Sequence, residues 1–151
     1  MIVPIPRPRR WKDALAPSLD DFAAIAETAL AALPDRFREM AGDVEMWVME
    51  VAEDEVLDEL QIDDPFELTG LYQGPDLTRR GSQDVIQHPS MLFLYRRPIL
   101  DEWCERGDVT LGELIGHVLV HEIGHHFGLS DEDIERIEAG DRGEHKPAGG
   151  R

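Results

Sequence analysis

Residues 121–131 read His-Glu-Ile-Gly-His-His-Phe-Gly-Leu-Ser-Asp, and this stretch decides most of what the sequence predicts. On an α-helix, residues four apart lie about 40° apart around the axis and roughly 6 Å along it, so His121 and His125 project from the same face. Two imidazoles placed in this way can converge on one zinc ion. Glu122 projects to the side of that ion, where its carboxylate can accept a proton from a metal-activated water. The segment therefore predicts a zinc site on a helix, with Glu122 as the general base.

A third ligand is expected after the helix. Gly128 can adopt a positive φ and reverse the chain, which can bring the Asp131 carboxylate back toward the two imidazoles. Two histidines and one aspartate leave a fourth position open, as in catalytic rather than structural zinc sites. The alternative is that Asp131 only begins the last helix, where an acid interacts favourably with the helix dipole.

The remaining histidines and the single cysteine are expected to have other roles. His117 lies one turn before the first ligand, and it is a supporting group, an alternative ligand or a core histidine, with the non-ligand roles favoured. His126 is rotated about 100° from the second ligand and cannot easily share its metal. His88 and His145 are expected at the surface. Cys104 is expected to be a buried structural thiol rather than a nucleophile.

Hydrophobic periodicity and turn residues predict an α+β fold with a small mixed sheet, an active-site helix and a helical C-terminal half. Capping boxes at Ser18/Asp21 and Thr110/Glu113 predict two helix starts. The predicted helices lie at 19–33, around 53–60, from Pro98, at 111–127 and from Ser130 onward, and the predicted strands lie at 43–51, 68–73 and 91–95. The strand Met91–Tyr95 is a candidate edge strand for pairing with an extended substrate. Residues 74–89 are expected to form a long loop, a possible lid.

Composition excludes several classes of function. Acidic side chains number 32 against 15 basic ones, and the formal net charge of −17 argues against a nucleic-acid or anionic-membrane partner. No run of about 18 apolar residues exists, and no secretory signal is recognisable. One cysteine cannot form an intrachain disulfide, which fits a reducing compartment and predicts a cytoplasmic protein.

Length and local composition predict one domain with two appendages. Residues 1–12 hold Arg7, Arg9, Arg10 and Lys12, no acid, and three interleaved prolines, so they are expected to form a basic flexible arm. Residues 13–140 form the predicted domain. Residues 141–151 are polar and glycine-rich and are expected to be a flexible tail.

The stretch from His121 to Asp131 resembles the metzincin-type motif His-Glu-x-x-His-x-x-Gly-x-x-His/Asp. Together with Tyr95-Arg96-Arg97-Pro98 upstream, the longer run 111–135 resembles a family of short bacterial minimal zincins, which are predicted metallopeptidases. This resemblance implies His121, His125 and Asp131 as zinc ligands and Glu122 as the general base. The sequence departs from metzincins in having no methionine after Met91, so it lacks their Met-turn.

The predicted function is that of a zinc metallopeptidase acting on a peptide or protein substrate. Arg96, Tyr95 and Tyr72 are candidates for assisting the zinc at the oxyanion. One alternative is a zinc-binding, proteolytically weak or inactive module that acts through a protein partner, with the basic arm as a candidate contact. Another is a structural or interaction domain with a vestigial site.

Overall fold

The three-dimensional structure, a computed structural model, describes residues 11–80 and 84–144, with side chains described for 11–75 and 89–140. These residues form six α-helices, five strands and two short 3-10 helices (Trp11–Asp13 and Pro65–Glu67). The α-helices are α1 (Leu19–Ala31), α2 (Asp35–Ala41), α3 (Asp54–Glu59), α4 (Arg96–Arg106), α5 (Leu111–His126) and α6 (Asp131–Glu144). The strands are β1 (Glu45–Met49), β2 (Gly70–Gln73), β3 (Asp76–Arg80), β4 (Asp84–His88) and β5 (Met91–Tyr95).

The main sheet has three strands in the order β1-β5-β2. β5 is parallel to β1, pairing Trp47 with Phe93, and antiparallel to β2, pairing Tyr72 with Leu92. The prediction of an α+β fold with a small mixed sheet is therefore confirmed. The prediction that Met91–Tyr95 is an edge strand is wrong, because both of its sides are hydrogen-bonded to neighbours. Its apolar run is typical of a central strand that is covered on both faces.

Local capping interactions begin the two helices that the capping boxes predicted. The Ser18 hydroxyl accepts from the backbone N–H of Asp21, whose carboxylate accepts from the N–H of Ser18. Thr110 and Glu113 form the same reciprocal pair at the start of α5. Because these bonds satisfy N–H groups that have no partner within the helix, they define where each helix begins. Both predicted helix starts are confirmed.

The core lies between one face of the sheet and the helices α1, α2 and α5. Ile115, Leu119 and Ile123 of α5 have no solvent-exposed surface, and they belong to the same buried cluster as Phe22 of α1 and Leu92 of β5. A second, smaller cluster around Tyr95 and Leu57 covers part of the opposite face. The active-site helix predicted from the sequence is therefore the central helix of the core.

Four local predictions need correction. Pro34 ends α1 as expected, but it is also the N-cap of a further helix, α2, because proline is tolerated at a helix start. Helix α4 begins at Arg96, so Pro98 is the third residue of its first turn. A backbone N–H at that position would have no hydrogen-bond partner within the helix, so proline is tolerated there. Residues 76–80 and 84–88 pair as an antiparallel hairpin instead of forming a long loop. Cys104 is exposed, because it lies on the outer side of α4.

Other predictions lie partly beyond the described residues. Residues 1–10 of the basic arm and residues 145–151 of the tail are outside them, and α6 extends to Glu144, past the predicted end of the domain at 140. His145 falls in the undescribed tail, and the side chain of His88 is not described. In the described part of the chain, no helix has both the length and the apolar character that a membrane span requires.

Candidate metal centre

The structure brings the three predicted ligands together at the C-terminal end of α5. His121, His125 and Asp131 each offer one ligand atom, and these atoms all lie within 4.8 Å of one another. Oδ1 of Asp131 lies 2.9 Å from Nε2 of His125 and 3.3 Å from Nδ1 of His121. No other group of this kind is found among the residues whose side chains are described.

The turn after α5 has the hydrogen bonds of a Schellman motif. The N–H of Leu129 donates to the carbonyl of Gly124 (2.9 Å), and the N–H of Gly128 donates to that of His125 (3.0 Å). Gly128 has φ +84°, a conformation that glycine adopts without steric cost, so the predicted turn is confirmed. Asp131 then begins α6 only three residues later.

The same turn orients the ring of His125. Nδ1 of His125 lies 2.9 Å from the carbonyl oxygen of Leu129. Because a carbonyl can only accept, Nδ1 carries the proton, and in the neutral ring Nε2 presents its lone pair toward Asp131. Two acceptors 2.9 Å apart need a shared proton or a cation between them. A backbone carbonyl that fixes the tautomer of a ligating histidine is the usual support of a metal site.

The donor set fits zinc in chemistry and in spacing. Imidazole nitrogen and carboxylate oxygen are ordinary zinc ligands, and bonds of about 2.0–2.1 Å in tetrahedral geometry place ligand atoms roughly 3.3 Å apart. The two measured separations from Asp131, 2.9 and 3.3 Å, are close to that value. The side chain of Asp131 is 71% exposed and that of His125 is 46% exposed, so solvent and a substrate can reach the site.

Glu122 lies beside this group, between α5 and β2. A methyl group added at Gly70 would lie 3.2 Å from Cγ of Glu122, so the side chain packs closely over the strand. Burial raises the pKa of Glu122 to about 7, and the nearby His125 opposes part of that rise. A carboxyl group whose pKa is close to neutral can both take and return a proton.

Gly124 and Ile134 determine how closely α6 approaches α5. A methyl group at Gly124 would lie 2.6 Å from Cδ1 and 2.8 Å from Cγ1 of Ile134, which is completely buried. Because Asp131 is one turn before Ile134, this contact also sets the position of the Asp131 carboxylate. This contact was not predicted from the sequence, although a glycine in the middle of a helix signals that something packs closely against it.

We expect Gly124→Ala to lower the free energy of unfolding by about 1–3 kcal/mol, because Ile134 and α6 must move outward. It should also weaken zinc binding, since Asp131 moves with α6. The matched control is Gly116→Ala on the same helix, where a methyl group would meet nothing within 4 Å. That substitution should raise stability by up to about 1 kcal/mol. Urea unfolding and zinc titration of both variants would check this, and equal effects of the two would contradict it.

His117 contacts one of the three converging side chains, whereas His126 packs on β2, and neither belongs to the ligand group. The ring centroid of His117 lies 4.1 Å from that of His121. Partial burial, and next the neighbouring His121, lower the pKa of His117. The ring of His126 packs on Tyr72 of β2, with centroids 4.1 Å apart. His126 therefore joins α5 to β2.

The three side chains suggested for the oxyanion are differently placed. Arg96 donates to the carbonyl of Pro17 (2.6 Å) and pairs with Glu50 (3.1 Å), so its guanidinium is engaged elsewhere. Tyr95 is buried in the second cluster, and burial, followed by the charges of Glu53 and Glu122, raises its pKa to about 12. Tyr72 is buried beneath His126. The structure brings none of the three into the ligand group.

The fold combines a small mixed sheet with a long helix that carries two histidines one turn apart, and an acidic residue returns toward them after a glycine turn. This combination defines a protein of the zincin class. The family model described as Zincin-like metallopeptidase matches residues 41–141, which is more than half of the chain. The chain therefore belongs to the zincin-like metallopeptidase family, and the predicted zincin-like fold is confirmed. The family implies zinc as cofactor and a peptidase type of hydrolase. No curated protein matches the chain.

Proposed function

We propose that this protein is a zinc-dependent peptidase whose metal is held by His121, His125 and Asp131. The observation that carries the proposal is the convergence of these three side chains beside Glu122. Three protein ligands leave room for a water or a substrate oxygen, which a four-ligand structural site does not. Zinc bound there would act as a Lewis acid that lowers the pKa of a water and polarises the scissile carbonyl.

Glu122 is the proposed general base. Its carboxylate takes a proton from the attacking water and later delivers that proton to the leaving amide nitrogen. Packing over Gly70 limits the side chain to the side of the site that faces β2. β2 is the strand that contacts α5. A substrate that pairs with β2, as proposed below, would therefore present its scissile bond close to this carboxylate.

We propose β2 as the strand that binds an extended substrate. It pairs with β5 along one side only, so its other side carries free backbone N–H and C=O groups in the described part of the chain. An extended peptide can add to such an edge by main-chain hydrogen bonds. The contacts of β2 with Glu122 and His126 support this choice, because both residues are direct neighbours of the proposed ligands in the sequence of α5. β2 thus takes the role that the sequence assigned to Met91–Tyr95.

The test combines metal analysis with peptide cleavage. We expect the purified protein to bind one zinc ion per chain, to cleave members of a mixed peptide library, to lose both properties on chelation, and to regain both when zinc is restored. Mass spectrometry of the cleaved peptides would give the preferred residues on each side of the bond. Stoichiometric zinc without any turnover would overturn the peptidase and leave a zinc-binding module. Absence of stoichiometric zinc would overturn the site itself.

A further inference from the structure

Three aromatic rings form a cluster where the C-terminal end of α5 meets β2. The ring of His126 lies on that of Tyr72 with centroids 4.1 Å apart, and Phe127 meets both rings edge-on, with centroids 5.2 Å from His126 and 6.0 Å from Tyr72. Tyr72 is only 8% exposed, whereas Phe127 is 47% exposed and His126 is exposed as well. A cluster of exposed rings, unlike one exposed apolar side chain, is a candidate contact for a ligand.

The stripes of α5 show on which side of β2 the proposed ligands lie. β2 packs against one stripe with a spacing of four residues: Val118, Glu122 and His126. The residues one position later, Leu119 and Ile123, are rotated about 100° to one side, where they are fully buried in the cluster that includes Leu92 of β5. The residues one position earlier, His121 and His125, are rotated about 100° to the other side. Because β5 pairs with β2 on the core side, the free edge of β2 lies on the side of the proposed ligands.

The register of the sheet identifies the backbone groups at that free edge. In an antiparallel pair, residues alternate between exchanging hydrogen bonds with the partner strand and pointing their backbone groups away from it. The N–H of Tyr95 donates to the carbonyl of Thr69 (2.9 Å), so Thr69 is a residue of the first kind. Gly70 and Tyr72 are one and three residues further on and are therefore of the second kind. Their N–H and C=O groups face the free edge, where an extended peptide can bond to them.

A peptide that pairs with this edge presents every second side chain on the α5 face of the sheet. Because Gly70 packs on Glu122, a peptide residue opposite Gly70 lies beside the proposed general base. The next side chain on the same face lies opposite Tyr72, roughly 7 Å further along the strand. Side chains directly opposite each other in a sheet have Cβ atoms about 4.5–5.5 Å apart, so this second side chain can reach the aromatic cluster.

We propose that Tyr72, His126 and Phe127 form an aromatic subsite for an apolar side chain, aromatic or large and aliphatic, of the substrate residue opposite Tyr72. This inference rests on the proposed function, since it requires β2 to bind the peptide. A ring in the subsite gains edge-to-face contacts, and any large apolar side chain covers the exposed part of Phe127. A cationic side chain is less suited, because His126 covers the face of Tyr72. The subsite selects the sequence near the scissile bond and takes no part in the reaction.

Peptide binding to the Glu122→Gln protein in the presence of zinc tests the subsite without requiring turnover. The probes are peptides of identical sequence except at one central position, which is phenylalanine, leucine, alanine, aspartate or lysine. We expect Kd to be about 10-fold lower with phenylalanine or leucine than with alanine. NOEs should join the phenylalanine ring of the probe to the rings of His126 and Phe127. Equal affinities for the five probes, no binding of any probe, or a preference for lysine would each overturn the proposal.

Phe127→Ala and Phe66→Ala, each made in the Glu122→Gln protein, form a matched pair. Phe66 is 43% exposed, much as Phe127 is, but it lies on a 3-10 helix that packs on α4. Phe127→Ala should reduce the preference for phenylalanine over alanine to less than about 3-fold, and Phe66→Ala should keep it. A preference retained by a folded Phe127→Ala protein would show that the side chain binds elsewhere. If that variant does not fold, the presence or absence of the NOEs decides.

Cleavage of the same probes by the protein with Glu122 intact separates this proposal from the peptidase. Cleavage without a preference for phenylalanine or leucine in binding would remove the subsite and leave the peptidase. Preferential binding with the expected NOEs, but without cleavage of any peptide, would remove the peptidase and leave the subsite as part of a peptide-binding site.

Discussion

Replacing Glu122 with glutamine is expected to lower kcat for peptide cleavage by about 10²- to 10⁴-fold, the usual contribution of a general acid–base group. The amide has nearly the same shape, so it should fit over Gly70 as the carboxylate does. It cannot take a proton from the attacking water. Zinc content should stay at one ion per chain, because Glu122 is not one of the three converging ligands. Cleavage of a fluorogenic peptide and atomic absorption of the same samples would measure both quantities.

The matched control is Glu135→Gln, which removes the same charge from an exposed position on α6. It should leave kcat unchanged, and this excludes an effect of net charge. A Glu122→Gln protein with full activity would refute the role assigned to this carboxylate. A protein that had lost its zinc as well would show that Glu122 supports the metal instead.

Asp131→Ala is expected to weaken zinc binding by about 100-fold or more. Structural zinc sites with four protein ligands bind the ion with free energies of about 10–16 kcal/mol, which corresponds to roughly 3 kcal/mol for each ligand. We expect the loss of Asp131 to cost a similar amount. The loss should also appear as a smaller zinc-induced rise in Tm, since a ligand that binds only the folded state stabilises it by an amount that rises with the logarithm of its affinity. Competition titration with a chromophoric chelator would give the affinity directly.

Glu132→Ala is the control for this second substitution. Glu132 is the next residue of α6, is exposed, and is likewise an acid in the first turn. Both variants lose one favourable interaction with the helix dipole, but only Asp131 contacts His121 and His125. A similar loss of zinc affinity in the two proteins would indicate that Asp131 acts only through the start of the helix.

Much of the candidate site could be predicted from the sequence because its geometry is local. His121, Glu122 and His125 are related by helical spacing alone, and the capping box at Thr110 established that a helix begins upstream. The turn that returns Asp131 needs only a glycine with positive φ three residues earlier. All of these residues lie close together in the sequence, and the most distant contact, between His121 and Asp131, joins residues ten apart.

The environment of the site could not be predicted in the same way. The close packing of Gly124 on Ile134, and of Gly70 on Glu122, depends on how α6 and β2 approach α5. The burial that raises the pKa of Glu122 has the same origin. A glycine in the sequence signals that space is required, but it does not identify the partner that fills it.

The sequence by itself determined the helix that carries the proposed ligands, its first turn, the turn at its end and the α+β character of the chain. Helix spacing, capping and positive φ act over a few neighbouring residues, which is why these features could be predicted. Only the tertiary structure decided that Met91–Tyr95 lies at the centre of the sheet, that β2 forms the edge beside the site, and that Cys104 is exposed. Strand order and burial depend on contacts between residues far apart in the chain, for which a local pattern contains no information about the partner.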